Sequence, residues 1–254
     1  MTDLTIVVPS IRPDNWPRVA AELARSVGRY SHELIFVGPA TCKEVGDWKF
    51  IQDFGSPTRC IQIGSVVAKG RHFMWISDDG TYHDNAIESA LDLLLYDTKP
   101  VSGFSQFDKI VCLRYTENNL VRHPDYWITG HHDDLKLPGV DANTHFAPLA
   151  LMRTNVFREL GGLDCSFYHC NMSCIDLSLR AVDFGRHVVL SKEYVGDFKW
   201  IPGNSINAGD HAVIHKVDIE HDMPLFKQIY AEPTRRYIDY NNWLYQAPVW
   251  ERFR

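Results

Sequence analysis

The first hundred residues alternate between apolar runs and helical patterns, and this alternation restricts the fold more than any other feature. Residues 4–8 form a continuous apolar, β-branched run, as expected for a strand covered on both faces. Val19, Leu23 and Val27 recur at four-residue intervals and predict a helix over residues 16–27. Repeated strand–helix units of this kind predict an α/β fold with a mostly parallel central sheet and helices on both faces.

Further elements follow from the same patterns. Strands are predicted at 33–37, 50–52, 73–76, 101–104, 109–114, 146–152 and 187–190, and helices at 58–69, 84–95 and 175–184. We expect Gly70 to cap the second helix at its C-terminus and Asp84 to cap the third at its N-terminus. Residues 115–143 are polar and lack a period, which is typical of a binding loop.

The length allows one large α/β domain or two small ones, and no linker divides the chain. The chain has 254 residues, of which 45% are hydrophobic and 23% charged, the usual balance of a soluble globular protein. We expect a single domain over 1–254, with a core at about 4–195 and a C-terminal extension, 196–254, that packs on it. The aromatic residues of that extension favour packing on the core, although a wall for an acceptor groove or an oligomer contact would also use them.

Charge and hydropathy exclude several classes of function. A net charge of −6 argues against a general nucleic-acid binder, while leaving room for a local basic pocket around a nucleotide. No apolar run reaches the roughly 18 residues that span a bilayer, and residues 1–4 enter a strand without a signal-like region. We therefore expect a cytoplasmic protein without its own transmembrane segment. The six cysteines contain no Cys-x-x-Cys pair, which favours reduced thiols over a zinc site.

The residues that follow the strand at 73–76 carry the strongest chemical signal. Asp78 and Asp79 are adjacent, Gly80 follows them, and ligands of open α/β sheets bind at such strand ends. Adjacent carboxylates suit a hard divalent cation that carries a phosphate-bearing substrate. A plain turn would have the same sequence, so the signal depends on its surroundings.

Four local patterns in the chain occur in a recognisable order. They are TIVVPS at 5–10, SPTRCI at 56–61, ISDDG at 76–80, and an Arg, Gly-Gly-Leu-Asp and Asp-Leu-x-x-Arg series over 153–180. Together they resemble glycosyltransferase family 2 and its relatives with the GT-A (Rossmann-like, nucleotide-diphospho-sugar transferase) fold. The resemblance covers residues 4 to about 195 and implies a glycosyltransferase that uses a nucleotide-sugar donor.

The resemblance also implies a donor site. The residues that it assigns to the nucleotide sugar are Pro9, Ser10, Arg12, Asp53, Arg59 and Asp78. The base-recognising Asp of the family is missing, because Gly38 and Pro39 stand in its place. Asp53 is a plausible substitute, since a carboxylate accepts from the N3–H of uracil. A solvated Asp53 and a salt-bridged Arg59 are the alternatives.

The resemblance implies a divalent metal, Mn²⁺ or Mg²⁺, with Asp79 as its ligand. Ser77 stands where the family has the first Asp of its metal motif, so one carboxylate is missing. His211 is the preferred third ligand, and His215 and Asp197 are rivals for that position. The polar run 131–134 also holds two His and two Asp residues, but adjacent residues on a loop point in different directions.

The acceptor side departs furthest from the family pattern. An inverting transferase needs a general base, and the Glu-Asp pair that supplies it aligns with Ser173 and Cys174. A thiol is a poor base at neutral pH. Asp176 and Asp164 are the candidate catalytic acids, although Asp176 has an alternative role as a helix cap. A retaining enzyme and an inactive domain also remain open.

These observations predict a metal-dependent glycosyltransferase. Its partners would be a nucleotide-diphosphate sugar, uridine-based, and a glycan or other hydroxyl acceptor; oligomerisation is left open. The alternative is a catalytically inactive GT-A-like domain that binds carbohydrate or a partner. A nucleotidyltransferase ranks last, because residues 9–13 are not a glycine-rich phosphate loop.

Overall fold

A computed structural model describes residues 2–44, 46–96, 109–123, 147–199, 217–232 and 235–241. The strands are β1 Leu4–Pro9, β2 His32–Gly38, β3 Lys49–Gln52, β4 His72–Trp75, β5 Gly80–Tyr82, β6 Lys109–Glu117, β7 Val121–His123, β8 Ala150–Arg153 and β9 His187–Phe198. The α-helices are α1 Trp16–Val27, α2 Pro57–Val67, α3 Ala86–Tyr96, α4 Thr154–Glu159, α5 Cys170–Asp183 and α6 Met223–Ile229. A 3₁₀ turn at Pro13–Asn15 precedes α1, and a π-helical turn at Asp218–Asp222 precedes α6.

The strands form one sheet with the order β3-β2-β1-β4-β8-β6-β9-β5, and β7 pairs with β6 outside this path. β3, β2, β1 and β4 are mutually parallel, as the strand–helix alternation predicts. β8 enters antiparallel between β4 and β6, and β9 is parallel to β6 but antiparallel to β5. The parallel half therefore comes from the first 75 residues, and the rest of the chain extends it as a mixed sheet.

Both faces of the sheet are covered. On one face α1 and α3 bury an apolar cluster with Ile6 and Val8 of β1. On the other face α2 and α5 pack with Val7. Alternate side chains of β1 thus enter opposite cores, which is why its sequence is continuously apolar. The predicted helices on both faces are confirmed.

Helix ends depart from the sequence predictions in two places. α2 begins after Ser56, whose hydroxyl accepts from the backbone N–H of Arg59 at 3.2 Å, and it ends at Val67. The prediction that Gly70 caps it is wrong, because Ala68 already follows the helix in an extended conformation. Gly70 is needed for another reason: a Cβ there would collide with the backbone of Leu4 and Thr5 in β1.

The N-terminus of α3 is bound by a neighbouring helix. The Ser26 hydroxyl of α1 accepts from the backbone N–H of Ile87 at 3.2 Å. Asp84, the predicted cap, instead accepts from the guanidinium of Arg25 at 3.0 Å. α1 and α3 are thereby joined at this end as well as through their apolar faces.

The described elements in the later part of the chain differ from their predictions mainly in extent, and the strand predicted at 101–104 lies outside the described residues. β6 and β7 form an antiparallel hairpin over residues 109–123, so the first nine residues of the predicted irregular segment 115–143 are ordered strands and a turn. The remainder of that segment lies outside the described residues. α5 begins at Cys170, five residues before its predicted start at residue 175.

The described parts of the C-terminal region contact the core. Phe226 of α6 is fully buried, and the Tyr240 hydroxyl lies 2.9 Å from the hydroxyl of Ser65 in α2. Of the helices in the described ranges, none has the length and apolar character that crossing a membrane would require.

Candidate functional site

A cleft of about 220 Å³ opens at the carboxyl ends of β1 and β4, where parallel α/β sheets place their ligands. We call it the donor cleft, after the ligand that the sequence resemblance implies. The loop 9–12 after β1 and the turn 77–79 after β4 form one side. Its other walls come from the end of β2, from four residues around the start of α2 (Gly55, Pro57, Cys60 and Ile61), and from residues 148–149 and 169–170.

Asp78 lies at the base of this cleft and is almost completely buried. Its carboxylate accepts from the Ser10 hydroxyl at 2.7 Å and from the backbone N–H groups of Ile11 (3.1 Å) and Arg12 (2.8 Å). The Arg12 guanidinium donates to the second oxygen at 2.5 Å. Burial raises the pKa of Asp78 above its ordinary value, while the charge of Arg12 opposes that shift. Asp78 therefore holds the loop after β1 in place.

Ser10 is also fully occupied by this network. Besides donating to Asp78, its hydroxyl accepts from the indole N–H of Trp16 at 2.6 Å. Ser10 is buried, so its side chain supports the loop from the protein interior. The loop itself lines the cleft. Pro9 and Arg12, the other loop residues predicted to bind the donor, both line the cleft.

Asp79 differs from its neighbour because 25% of its side chain is exposed. One of its oxygens accepts from the Ser77 hydroxyl, and the other lies 3.7 Å from the Arg12 guanidinium. Ser77 is the residue that replaces a motif carboxylate, and here it acts as a hydrogen-bond donor. Of the two adjacent aspartates, Asp79 alone presents substantial carboxylate surface to the cleft.

Gly38 explains why the family's base-recognising Asp is absent. The loop after β1 crosses the end of β2 so closely that a Cβ at Gly38 would collide with the Ser10 carbonyl. The Gly38 carbonyl accepts from the N–H of Asp53 at 3.0 Å, so Asp53 lies beside the position where that Asp would stand. The Asp53 carboxylate accepts from the Arg59 guanidinium at 3.2 Å and from Gly55 N–H at 2.8 Å. The predicted pair Asp53 and Arg59 is thus brought together near the cleft, but neither residue lines it.

Asp176 is placed very differently from the donor-cleft acids. It has no exposed surface, and its carboxylate binds the guanidinium groups of Arg180 (2.9 Å) and Arg236 and the hydroxyl of Tyr230 (2.8 Å). Burial alone would raise its pKa, but Arg180 and Arg236 outweigh burial, and the net pKa is lowered. It neither caps α5, as its alternative role would require, nor reaches the donor cleft in this arrangement.

Asp164 belongs to the same cluster. It is buried, it accepts from the hydroxyl and N–H of Ser166 at 2.7 and 2.8 Å, and its second oxygen pairs with Arg236. We call Asp164, Asp176, Arg180, Arg236 and Tyr230 the arginine-paired cluster. Neither acid lines the donor cleft.

Cys174 and Ser173, which align with the family's Glu-Asp pair, are also buried. The Cys174 thiol donates to the Pro148 carbonyl at 3.6 Å, and burial raises its pKa well above the ordinary value. The Ser173 hydroxyl lies 3.2 Å from that of Thr58 in α2. Both residues pack α5 against the core and neither offers a base.

Two residues that sequence reasoning did not select, His169 and Cys170, line the donor cleft. They lie at the start of α5. The buried carboxylate of Asp222 fixes the backbone there, because it accepts from the N–H groups of Tyr168 (3.1 Å) and His169 (2.6 Å). The His221 ring also bonds that carboxylate at 2.7 Å. No short motif links residues 53 positions apart, so only the folded chain identifies them.

The predicted metal ligands lie partly within and partly outside the described residues. His211, His215 and the run 131–134 lie outside the described residues. Asp197, the rival ligand, is buried. It accepts from the Thr116 hydroxyl (2.8 Å) and from Asn119 N–H (2.7 Å), near where β6 pairs with β9. Within the ranges given above, no three His, Cys, Asp or Glu side chains form a cluster suited to a metal ion. Asp79 fits a cation that shares its coordination with diphosphate oxygens, as Mg²⁺ often does.

Comparison with known proteins defines the class of fold. No protein-family model matches the chain, and no curated protein matches it by sequence. Residues 1–349 of TarS from S. aureus, solved in complex with UDP, are 12% identical with a TM-score of 0.55 over 91% of this chain and 70% of that chain. A second structure of TarS residues 1–349 gives a TM-score of 0.53 at 12% identity, over 96% of this chain and 72% of that chain.

A mutant of Drosophila β1,4-galactosyltransferase 7, in complex with manganese, UDP-Gal and xylobiose, is also similar. Its TM-score is 0.47 at 12% identity, over 77% of this chain and 68% of that chain. The chain has a GT-A-type glycosyltransferase fold, as the sequence patterns imply.

Proposed function

We propose that this protein is a glycosyltransferase that moves a sugar from a nucleotide-diphosphate donor, uridine-based, to an acceptor hydroxyl with the help of a divalent cation. One observation carries the proposal: the donor cleft at the end of β4 presents the partly exposed carboxylate of Asp79 beside the Arg12 guanidinium. A nucleoside diphosphate can use both groups, because the carboxylate can bind its divalent cation and the guanidinium can bind its phosphate oxygens.

The donor would be held from three sides. Arg12 supplies positive charge near the diphosphate, and the backbone of the loop that Asp78 organises shapes the nucleoside pocket. Asp53 lies next to Gly38, where its carboxylate can accept from the N3–H of a uracil. Arg59 orients Asp53 through the 3.2 Å ion pair.

The cation would be Mn²⁺ or Mg²⁺, held by Asp79 together with the oxygens of the donor diphosphate. Bound there, it would neutralise the charge that develops on the departing diphosphate. With a single available carboxylate in the cleft, we expect the cation to bind weakly alone and tightly together with the nucleotide.

Asp176 and Asp164 are the two candidates for the proton acceptor. Asp176 is buried and paired with two arginines, an arrangement that favours a structural role over a base. Asp164 is the better candidate, because 11% of its side chain is exposed and a single arginine pairs with it. Turnover of Asp164→Asn should fall at every pH if Asp164 accepts the proton; turnover equal to the wild type would remove this role.

The donor site is tested by calorimetric titration with UDP in the presence and absence of Mn²⁺. We expect the wild type to bind UDP with Mn²⁺ and Asp79→Asn to lose the metal-dependent part of the affinity. Asp84→Asn is the matched control, since Asp84 is an exposed acid five residues away that pairs with Arg25. Equal affinities of the wild type and Asp79→Asn would overturn the assignment.

A second candidate function is an inactive GT-A-like module that binds carbohydrate or a partner. The observation that favours it is the loss of available acids: Ser77 replaces one carboxylate, Asp78 is fully bonded, and Cys174 is a core thiol. Hydrolysis of a sugar nucleotide in the presence of Mn²⁺, abolished in Asp79→Ala, would exclude this candidate. UDP binding without any turnover would favour it.

A further inference from the structure

A second cleft, of about 590 Å³, lies at the opposite end of β4 from the donor cleft. It is formed by residues 68–72, which lead into β4, by Arg153 at the end of β8, by α4, and by Leu95 of α3. Arg153 is the antiparallel register partner of His72. The two strands therefore bring residues 81 positions apart to the same end of the sheet. We call this the basic cleft.

The charge of the basic cleft has one sign. Lys69, Arg71, Arg153 and Arg158 line it together with His72, and among its described lining residues none is acidic. This concentration of cations occurs in a chain whose net charge is −6, so it is not a consequence of a basic composition. Such a cleft attracts anions and raises their local concentration.

Several hydrogen bonds hold the walls of the cleft together. The Arg158 guanidinium donates to the carbonyls of Ser65 (3.3 Å) and Ala68 (3.2 Å). Thr154 donates through its N–H to the Arg71 carbonyl at 2.9 Å and through its hydroxyl to the Gly70 carbonyl at 2.6 Å. The charge of Arg158 is therefore held at the rim by bonds to the main chain.

Three titratable groups lie close to the lysine and arginines: His72, Asp3 and Glu33, whose carboxylate accepts from the backbone N–H of Lys69 at 2.6 Å and from the ammonium group of Lys49. Burial lowers the pKa of His72 below its ordinary value, and the charges of Arg153 and Arg71 act in the same direction. Asp3 lies within electrostatic range of Arg71, but its carboxylate accepts from the hydroxyl (2.7 Å) and N–H (3.0 Å) of Ser31. His72 thus adds little charge, and the lysine and arginines set the field.

We propose that the basic cleft binds a phosphate-bearing ligand at a site separate from the donor cleft. Arginine forks and lysine ammonium groups are the usual protein partners of phosphate oxygens. At about 590 Å³ the cleft has room for a second phosphate or for further groups beside a single phosphate. This inference does not depend on the proposed transferase activity, because no residue of the donor cleft takes part.

The first test is calorimetric titration with inorganic pyrophosphate in the absence of divalent cations. The double variant Lys69→Gln, Arg158→Gln should bind about tenfold or more weakly than the wild type, because two charge-assisted contacts are lost. The double variant Arg25→Gln, Lys227→Gln removes the same charge from residues outside both clefts and should bind as the wild type does. Lys69→Gln alone, which alters an exposed side chain, should give a smaller decrease without loss of folding.

The second test separates a soluble phosphate from a lipid headgroup. Sedimentation with vesicles of phosphatidylglycerol and phosphatidylcholine is compared with sedimentation with phosphatidylcholine alone. Vesicle binding that requires phosphatidylglycerol, Lys69 and Arg158 identifies a headgroup, and pyrophosphate binding without vesicle binding identifies a soluble phosphate. If neither ligand depends on Lys69 and Arg158 more than on Arg25 and Lys227, the proposal is wrong.

Discussion

The turn 77–79 and the arginine-paired cluster both present aspartates that the sequence marks as functional, but the two regions use them in opposite ways. In the turn, Asp78 is bonded to the loop and Asp79 remains partly exposed at the cleft. In the cluster, Arg236 and other donors hold the carboxylates of both Asp164 and Asp176. The donors around an acid therefore decide how much of its carboxylate remains open for chemistry.

The comparison is tested most strongly by Asp176→Ala. Removing this carboxylate leaves the buried guanidinium of Arg180 without its ion pair, and we expect a loss of about 3–5 kcal/mol in the free energy of unfolding. Urea unfolding measures the change. The control Asp84→Ala removes an exposed ion pair with Arg25 and should cost about 1 kcal/mol or less. Equal losses in the two variants would contradict the structural role of Asp176.

The next prediction contrasts the two adjacent aspartates. Asp78→Ala leaves the buried hydroxyl and N–H groups of the loop without an acceptor, so the free energy of unfolding should fall by about 1–3 kcal/mol. Asp79→Ala should change it by about 0.5 kcal/mol, since this side chain is partly exposed. Chemical denaturation of both variants measures the two losses. A larger loss in Asp79→Ala than in Asp78→Ala would contradict the structural role of Asp78.

Gly38→Ala tests the close approach between the loop after β1 and the end of β2. The new methyl group meets the Ser10 carbonyl, which is backbone and cannot turn away, so we expect a loss of about 1–3 kcal/mol. UDP affinity should fall as well, because the loop that lines the cleft must move. Ala40→Ser, an exposed change two residues later, is the control and should leave stability and binding unaltered.

The smallest expected effect is on how the free energy of unfolding depends on pH. The pKa of Asp176 is lowered in the folded protein, so its ion pairs contribute stability above about pH 4, the pKa in the unfolded chain. That contribution is lost as the pH falls through the folded value. Asp176→Asn cannot titrate, so its free energy of unfolding should fall less steeply than that of the wild type below about pH 5. Parallel pH profiles would show that another group dominates.

The sequence predictions agree best with the structure where the pattern that they use is local. α1 begins and ends at the predicted residues, because the spacing of Val19, Leu23 and Val27 reports which face is buried. The DDG turn was correctly placed after a buried strand, since a strand and its following turn are contiguous in the chain. The GT-A-type fold followed from the order of such local patterns.

The roles of individual acids could not be predicted in the same way. Asp176 is bound by Arg236 and Tyr230, which lie 60 and 54 residues away, and no motif links them. The prediction that Gly70 caps a helix is wrong for the same reason, since this glycine is required by its contact with β1, more than 60 residues earlier. The walls of the basic cleft are equally distant in sequence, although its lysine and arginines are visible one by one.

The sequence by itself determined the alternation of strands and helices, the two covered faces of the sheet and the position of the paired aspartates. These depend on hydrophobic periodicity and on turns of a few residues, both of which are local. Only the tertiary structure decided which carboxylates are neutralised and which are exposed. The reason is physical: the state of a buried charge depends on the donors packed around it, and those donors come from distant parts of the chain.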